Sequence, residues 1–263
     1  MIEAAMTTLA ALPLSGLGVL VTGGSSGIGR AIALAAGRAG ADVALTYRTS
    51  RDAAEEVAGI IRAMGRRAVV SDLDLTNEFS IRRVGPHARA ALGRLDAWIN
   101  NAGADVLTGP GAGLSTLEKL DLLLAVDLRG TMLASWEAAE LFAAQESGGV
   151  IINMSWDHVV SGMSGLNPQL FAAAKGGVLA FSKALARTVA PRVRVNVLAP
   201  GWIETSFGEG LEDAAHRAIA ESTPLRRWGT PDDVAGAAVF LASPAAAFLT
   251  GQTIMVGGGV VMS

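Results

Sequence analysis

The chain has no cysteine among its 263 residues, three histidines and a single tyrosine, Tyr47. The missing cysteines exclude disulfides and thiolate metal sites, and they suit a reducing compartment. No grouping of acids with the few histidines has metal-ligand spacing, so no metal site is expected. Charge is sparse too: 17 % of residues carry it, and the net charge is -3. Such a chain lacks the basic face that nucleic acid requires, and no nucleic-acid partner is expected. No apolar run is long enough to span a bilayer, so no membrane partner is expected either. The opening stretch Met1 to Leu14 carries Glu3 and no basic leader, which is not the pattern of a signal peptide. We read residues 1–14 as an N-terminal extension with Met6 as an alternative start, 15–263 as one domain, and the location as cytoplasmic.

What is present is apolar and strongly alternating. Just over half the residues are hydrophobic, ample for a buried core. Strand-like runs fall at 18–22, 42–46, 68–71, 95–99, 150–154, 193–197 and 253–256. Between them lie Ala- and Leu-rich helical stretches at 28–39, 51–64, 116–145, 170–190 and 231–242. Apolar runs without alternation suit strands covered on both faces, as in a parallel sheet. Strand–helix alternation over the whole length predicts an α/β fold: a doubly wound, Rossmann-like parallel sheet of about seven strands with helices on both faces.

The first strand runs into Thr22-Gly23-Gly24-Ser25-Ser26-Gly27-Ile28-Gly29. Glycines allow a tight turn and close approach to a pyrophosphate, which rests on unpaired amides at a helix N-terminus. A tight β–α turn alone would explain the glycines equally simply. Further motifs follow in order: Asn100-Asn101-Ala102-Gly103 after the fourth strand, Lys175 on a helix after the fifth, and Pro200-Gly201-Trp202-Ile203-Glu204-Thr205 after the sixth. With these the chain resembles a short-chain dehydrogenase/reductase from about Leu17 to its C-terminus. One exception near the end is Gly257, where such chains often carry an acid.

The resemblance implies roles residue by residue. Gly23, Ser25, Ser26, Gly27, Ile28 and Gly29 would hold the pyrophosphate, and Asp74 would face the adenine. Asn101, Ala102 and Gly103 would flank the adenosine. Lys175 would bond the nicotinamide ribose, and Pro200, Gly201, Ile203 and Thr205 would border the nicotinamide. For Asp74 and Thr205, helix capping is the plain alternative. The second strand ends Tyr47-Arg48-Thr49-Ser50, without the acid that favours NAD(H). Arg48 can form paired bonds to a 2′-phosphate or simply be a solvated surface charge, and the missing acid tips the reading to NADP(H) over NAD(H). The helices over 116–145 and 170–190 would, by resemblance, pack across a two-fold axis in a homotetramer or homodimer.

The catalytic set is where the pattern breaks. Such chains usually carry Asn, Ser, Tyr and Lys, the tyrosine protonating the substrate oxygen while hydride arrives. Here Phe171 stands four residues before Lys175, in the tyrosine position, and a benzyl ring cannot act as an acid. The asparagine position holds Asp127, which could pair with Lys175. Strand register puts Trp156 in the serine slot, and a slip of one residue would restore Ser155. Asp157 and His158 are candidate replacement acids, with Asp105 a weaker one, although a loop histidine bonded to backbone is the plainer reading of His158. Trp156, Trp202, Phe207 and Phe171 would make an aromatic cleft for a flat or apolar small molecule, or would simply be packing. Three functions stay open: an NADP(H)-dependent oxidoreductase on a carbonyl, alcohol or activated alkene; a cofactor-bound cyclase, dehydratase or isomerase; and a catalytically silent binding protein.

Overall fold

The computed structural model describes residues 12–262, with Phe207 and Glu209 described by backbone alone. Seven strands form one parallel sheet: β1 (Gly18–Val21), β2 (Asp42–Tyr47), β3 (Ala68–Asp72), β4 (Ala97–Asn100), β5 (Gly149–Met154), β6 (Val193–Pro200) and β7 (Thr253–Val256). Their order is β3-β2-β1-β4-β5-β6-β7. The helices are α1 (Gly27–Arg38), α2 (Arg51–Ala63), α3 (Glu78–Leu92), the short α4 (Gly109–Ala112), α5 (Thr116–Leu123), α6 (Thr131–Ala143), α7 (Leu166–Val189), α8 (Ser206–Glu209), α9 (Asp213–Ser222) and α10 (Pro231–Ala242). The order reverses between β1 and β4, and ligands of such sheets bind where the carboxyl ends part at that point.

Alternate residues of each strand feed two separate cores. Val19, Val21, Val43, Leu45 and Ile99 pack on one face with Ile32 of α1, Val57 of α2 and Val234 of α10. Leu20, Ala44, Trp98 and Ile151 pack on the other with Ile81 of α3, Phe142 of α6 and Leu185 of α7. Both faces being dry explains why the strands read as unbroken apolar runs.

Several elements differ from their sequence reading. The helix expected over 116–145 is interrupted by a π-helical turn at Leu124–Gly130. Helix α3 lies outside the helical stretches bounded above; it carries Pro86 inside and shows Phe79 to solvent. Helix α7 begins at Leu166, a full turn before the reading. Leu14 is buried, and its amide donates to the Ala39 carbonyl at 2.9 Å, so the packed domain includes the end of the stretch read as an extension. Met6 lies outside the described residues. No helix among the described residues is long and apolar enough to cross a membrane.

A buried polar ladder ties the sheet to two helices on the Trp98 side. The Trp98 indole donates to Asn100 Oδ1 at 2.8 Å, and the Asn100 amide donates to Asn153 Oδ1 at 2.8 Å. Asn153 in turn donates to Ser182 Oγ on α7 at 2.9 Å. Phe142 lies flat over Gly149, where a Cβ would come 2.4 Å from the ring. Phe142→Ala should therefore open a cavity that the surrounding sheet cannot close. We expect it to lower the unfolding free energy by about 3–5 kcal/mol, read as a shift in the urea midpoint at unchanged slope.

Candidate active site

Two clefts meet at the carboxyl ends of β1 and β4 and share Ile28 and Asn101. The turn after β1 holds Gly23 and Gly27 at positive φ, +66° and +51°, which suits residues without a Cβ. At Gly29 a Cβ would come 2.1 Å from the Gly23 carbonyl oxygen, so the turn closes on α1 only with glycine there. Helix α1 starts with no side-chain cap on its amides and no acid in its first turn. An open, uncapped helix start next to a glycine turn fits a pyrophosphate. Thr22 locks this turn to the end of β4: its Oγ accepts from the amides of Asn101 and Ala102, both at 3.0 Å. The Asn101 side chain returns a bond to the Thr22 carbonyl at 3.0 Å. Thr22 was not picked out from the sequence.

The first cleft, about 550 Å³, is lined by Gly23, Ser25, Ser26 and Gly29 on one side and by Asp74, Ala102 and Gly103 on the other. Arg48 closes its end and is solvent-exposed. The Asp74 carboxylate accepts from the Thr76 hydroxyl and amide, at 2.7 and 2.8 Å, and these bonds hold its pKa below the ordinary carboxylate value. It therefore caps a turn and lines the cleft at once. Asp105 also borders this cleft rather than the second. Burial pushes its pKa up, but bonds from Thr108 and Leu107 outweigh that and leave it lowered. It acts as a turn cap, not as a substrate-side acid.

The second cleft, about 530 Å³, is mostly apolar. Lys175 and Phe171, one turn apart on α7, line it together with Trp156, Trp202, Ile203 and Thr205. Pro200 and Gly201, at the end of β6, complete the inner wall. Leu107, Met163, Ser164, Asn167 and Pro168 also line it, and none was picked out from the sequence. The last four come from the loop and first turn ahead of Phe171. The side chain of Phe207 lies outside the described residues.

Ser155 and Trp156 take different directions. The Ser155 hydroxyl donates to the backbone carbonyl of Lys175 at 2.8 Å, anchoring α7 to the end of β5. The neighbouring indole of Trp156 takes the cleft wall, 6.3 Å from the Phe171 ring. Both residues line the cleft, the serine with its hydroxyl bonded to the Lys175 carbonyl.

Asp127 sits beneath the cleft, on the π-helical turn, and is 1 % exposed. Single π turns of this kind often mark functional sites, because the extra residue re-aims a side chain. One Asp127 oxygen accepts from the Ala104 amide at 2.7 Å, and the other pairs with Lys175 Nζ at 2.8 Å. Gly103 makes room for it: a Cβ there would come 3.0 Å from the same carboxylate.

Asp157 and His158 do not line the cleft. Asp157 is fully buried; one of its oxygens meets His158 Nδ1 at 2.6 Å, and Oδ2 has no partner among the described residues. Burial pushes its carboxyl above the ordinary range, although the bond from His158 works against that. The His158 ring stacks on Trp156 at 4.9 Å, and Trp202 meets it edge-on at 5.8 Å. The two residues thus stand behind the aromatic wall, which corrects the expectation that they face substrate. The reason is the short 3-10 turn Asp157–Val159, which folds the loop back under the sheet ends.

Truncating one member of a buried ion pair leaves the other charge unpaired, whereas replacing both can be nearly neutral. Asp127→Ala should lower the unfolding free energy by about 3–5 kcal/mol, and the double change Asp127→Leu/Lys175→Met should recover most of it. An equal loss in the single and double variants, in parallel urea titrations, would show that the pair is not what holds this corner together.

Comparison with known proteins agrees with this geometry. A family model described as enoyl-(acyl carrier protein) reductase matches residues 23–261. An uncharacterized oxidoreductase of Mycobacterium tuberculosis is 42% identical over 248 residues, covering 92% of this chain and 90% of the relative. A 7α-hydroxysteroid dehydrogenase solved with NADH and 7-oxoglycochenodeoxycholic acid superposes with a TM-score of 0.85 at 29% identity, over 96% of this chain and 97% of that one. A blue fluorescent protein from a metagenomic library, solved with NADPH, superposes with a TM-score of 0.83 at 31% identity, over 95% of this chain and 100% of that one. With an uncapped glycine turn at the switch point, a lysine beside it on α7 and relatives matching nearly end to end, the chain belongs to the short-chain dehydrogenase/reductase family of oxidoreductases.

Proposed function

We propose that this protein is an NADP(H)-dependent oxidoreductase that acts on an apolar or aromatic small molecule and works without the tyrosine usual in its family. The observation that carries the reading is the pairing of an open pyrophosphate cradle with an apolar cleft whose inner wall holds Lys175. The cofactor would supply hydride at the junction of the two clefts. The protein's own part is then positioning. Gly23, Ser25, Gly27 and Gly29 would receive the pyrophosphate, and Ile203 and Thr205 would border the nicotinamide. Lys175 would hold the ribose hydroxyls, steered by Asp127. The aromatic wall would exclude water from the transfer.

The dinucleotide choice turns on Arg48. It stands at the end of β2, where an acid would favour the unphosphorylated ribose, and its guanidinium suits a phosphate. Family members accept either form, as the NADH and NADPH of the two structural neighbours illustrate. A charge-assisted bond of this kind is worth about 1.5–3 kcal/mol. Arg48→Glu should therefore weaken NADPH binding about 10–100-fold and leave NADH nearly unchanged in a tryptophan-fluorescence titration. Wild-type protein that binds neither nucleotide would remove the oxidoreductase reading altogether.

Phe171 defines the chemical handicap. It lines the cleft one turn before Lys175, where a phenol would protonate a developing alkoxide. Introducing that phenol as Phe171→Tyr should raise the rate on a bicyclic ketone such as α-tetralone by about 10²–10⁴-fold, with little change in KM. No gain in kcat, with NADPH still bound, would show that the cleft does not present a carbonyl to this position.

The family's oligomers give the protein a self-partner in this reading. Leu117 on α5 and Trp136 on α6 are exposed, and Trp136 packs edge-on against Phe181 of α7 at 5.7 Å. An apolar face on these helices is suited to a second copy across a two-fold axis, giving a homodimer or homotetramer.

A further inference from the structure

A ketone that accepts hydride becomes an alkoxide, and an enone becomes an enolate. Both develop negative charge that a positioned acid or cation must meet. The cleft is poor in such groups. Phe171 replaces the phenol, His158 stands behind Trp156, and the Ser155 hydroxyl is engaged by the Lys175 carbonyl. Ser164, Asn167 and Thr205 carry hydrogen-bonding groups, none of which titrates near neutral pH. The ammonium of Lys175 is held by Asp127 at 2.8 Å. The same cleft is rich in aromatic rings: Trp156, Phe171 and Trp202.

We infer that the acceptor is a cation, an iminium ion carried on an apolar ring system. Hydride forms the new C–H bond, the π pair of the C=N⁺ bond moves onto nitrogen, and a neutral amine results while the nicotinamide is oxidised. No proton enters the transfer, so a missing phenol costs nothing. Aromatic rings attract such a cation through their quadrupoles, most strongly when it is desolvated. The local charges allow it: Asp127 balances Lys175, and the buried Asp157 carboxyl lies against the His158 ring. No uncompensated positive charge faces the acceptor from these elements. The inference rests on the reading above that the cleft delivers hydride.

Binding and turnover can be read separately on the full-length protein. With NADPH present, its nicotinamide neutral, calorimetry would compare N,N-dimethyltetrahydroisoquinolinium, a saturated cation that cannot accept hydride, with its neutral carbon isostere. We expect the cation to bind about tenfold or more tightly, and Trp156→Leu to remove most of that preference. With NADPH, N-methyldihydroisoquinolinium should be reduced to the tertiary amine at least about 100-fold faster than α-tetralone, the margin that a missing general acid imposes. Equal binding of cation and isostere, or reduction of the ketone but not the iminium, would overturn the inference while leaving the oxidoreductase reading intact. Failure of NADPH itself to bind would instead remove that reading, and the inference with it.

Discussion

A carboxylate cut off from water needs partners for each of its oxygens, and meeting that need at Asp127 organises the site. One oxygen takes the Ala104 amide and so fixes the loop after β4; the other takes Lys175 and so fixes the depth and rotation of α7. The π-helical turn between α5 and α6 is the local distortion that delivers the carboxylate to this point. Three segments distant in sequence are thereby held in mutual register at the junction of the clefts. Because the charge is buried, none of them can relax independently of the other two.

The same corner shows how one residue can serve structure while its neighbour serves the site. Ser155 and Trp156 leave β5 in succession and make different contacts. The hydroxyl goes to the Lys175 carbonyl and the indole goes to the cleft. The Ser155 hydroxyl anchors α7, alongside the Asn153–Ser182 bond two turns further on. The wall beside it is aromatic, supported from behind by the His158 ring.

Much of the fold was legible because a doubly covered parallel sheet writes itself as apolar runs. Val19 to Val21 and Ile151 to Ile152 serve two cores at once and leave no polar interruption. The bounds of helix α3 were obscured by Pro86 and by the exposure of Phe79, both of which weaken a helical pattern. The π turn was invisible because one extra residue per turn hardly alters composition. At the site, the glycine turn, Lys175 and Phe171 could be read from spacing along a single element. The fate of Ser155, Trp156, Asp157 and His158 could not, since the angle at which a chain leaves a strand depends on what packs beneath it. Thr22 escaped notice for a similar reason: its importance lies in bonds to residues far along the chain.

The notch around Asp157 also constrains what its neighbours can be. Its unpartnered oxygen lies so close to Gly201 and Gly257 that a Cβ on either would approach within 2.4 or 2.2 Å of it. A side chain at 257, such as the acid that the resemblance leads one to expect there, would therefore have to displace the Asp157 carboxylate. With it would go the His158 ring that backs the Trp156 wall. Glycine at 257 and aspartate at 157 are thus a matched pair in this backbone, and a change at one is felt at the cleft through the other.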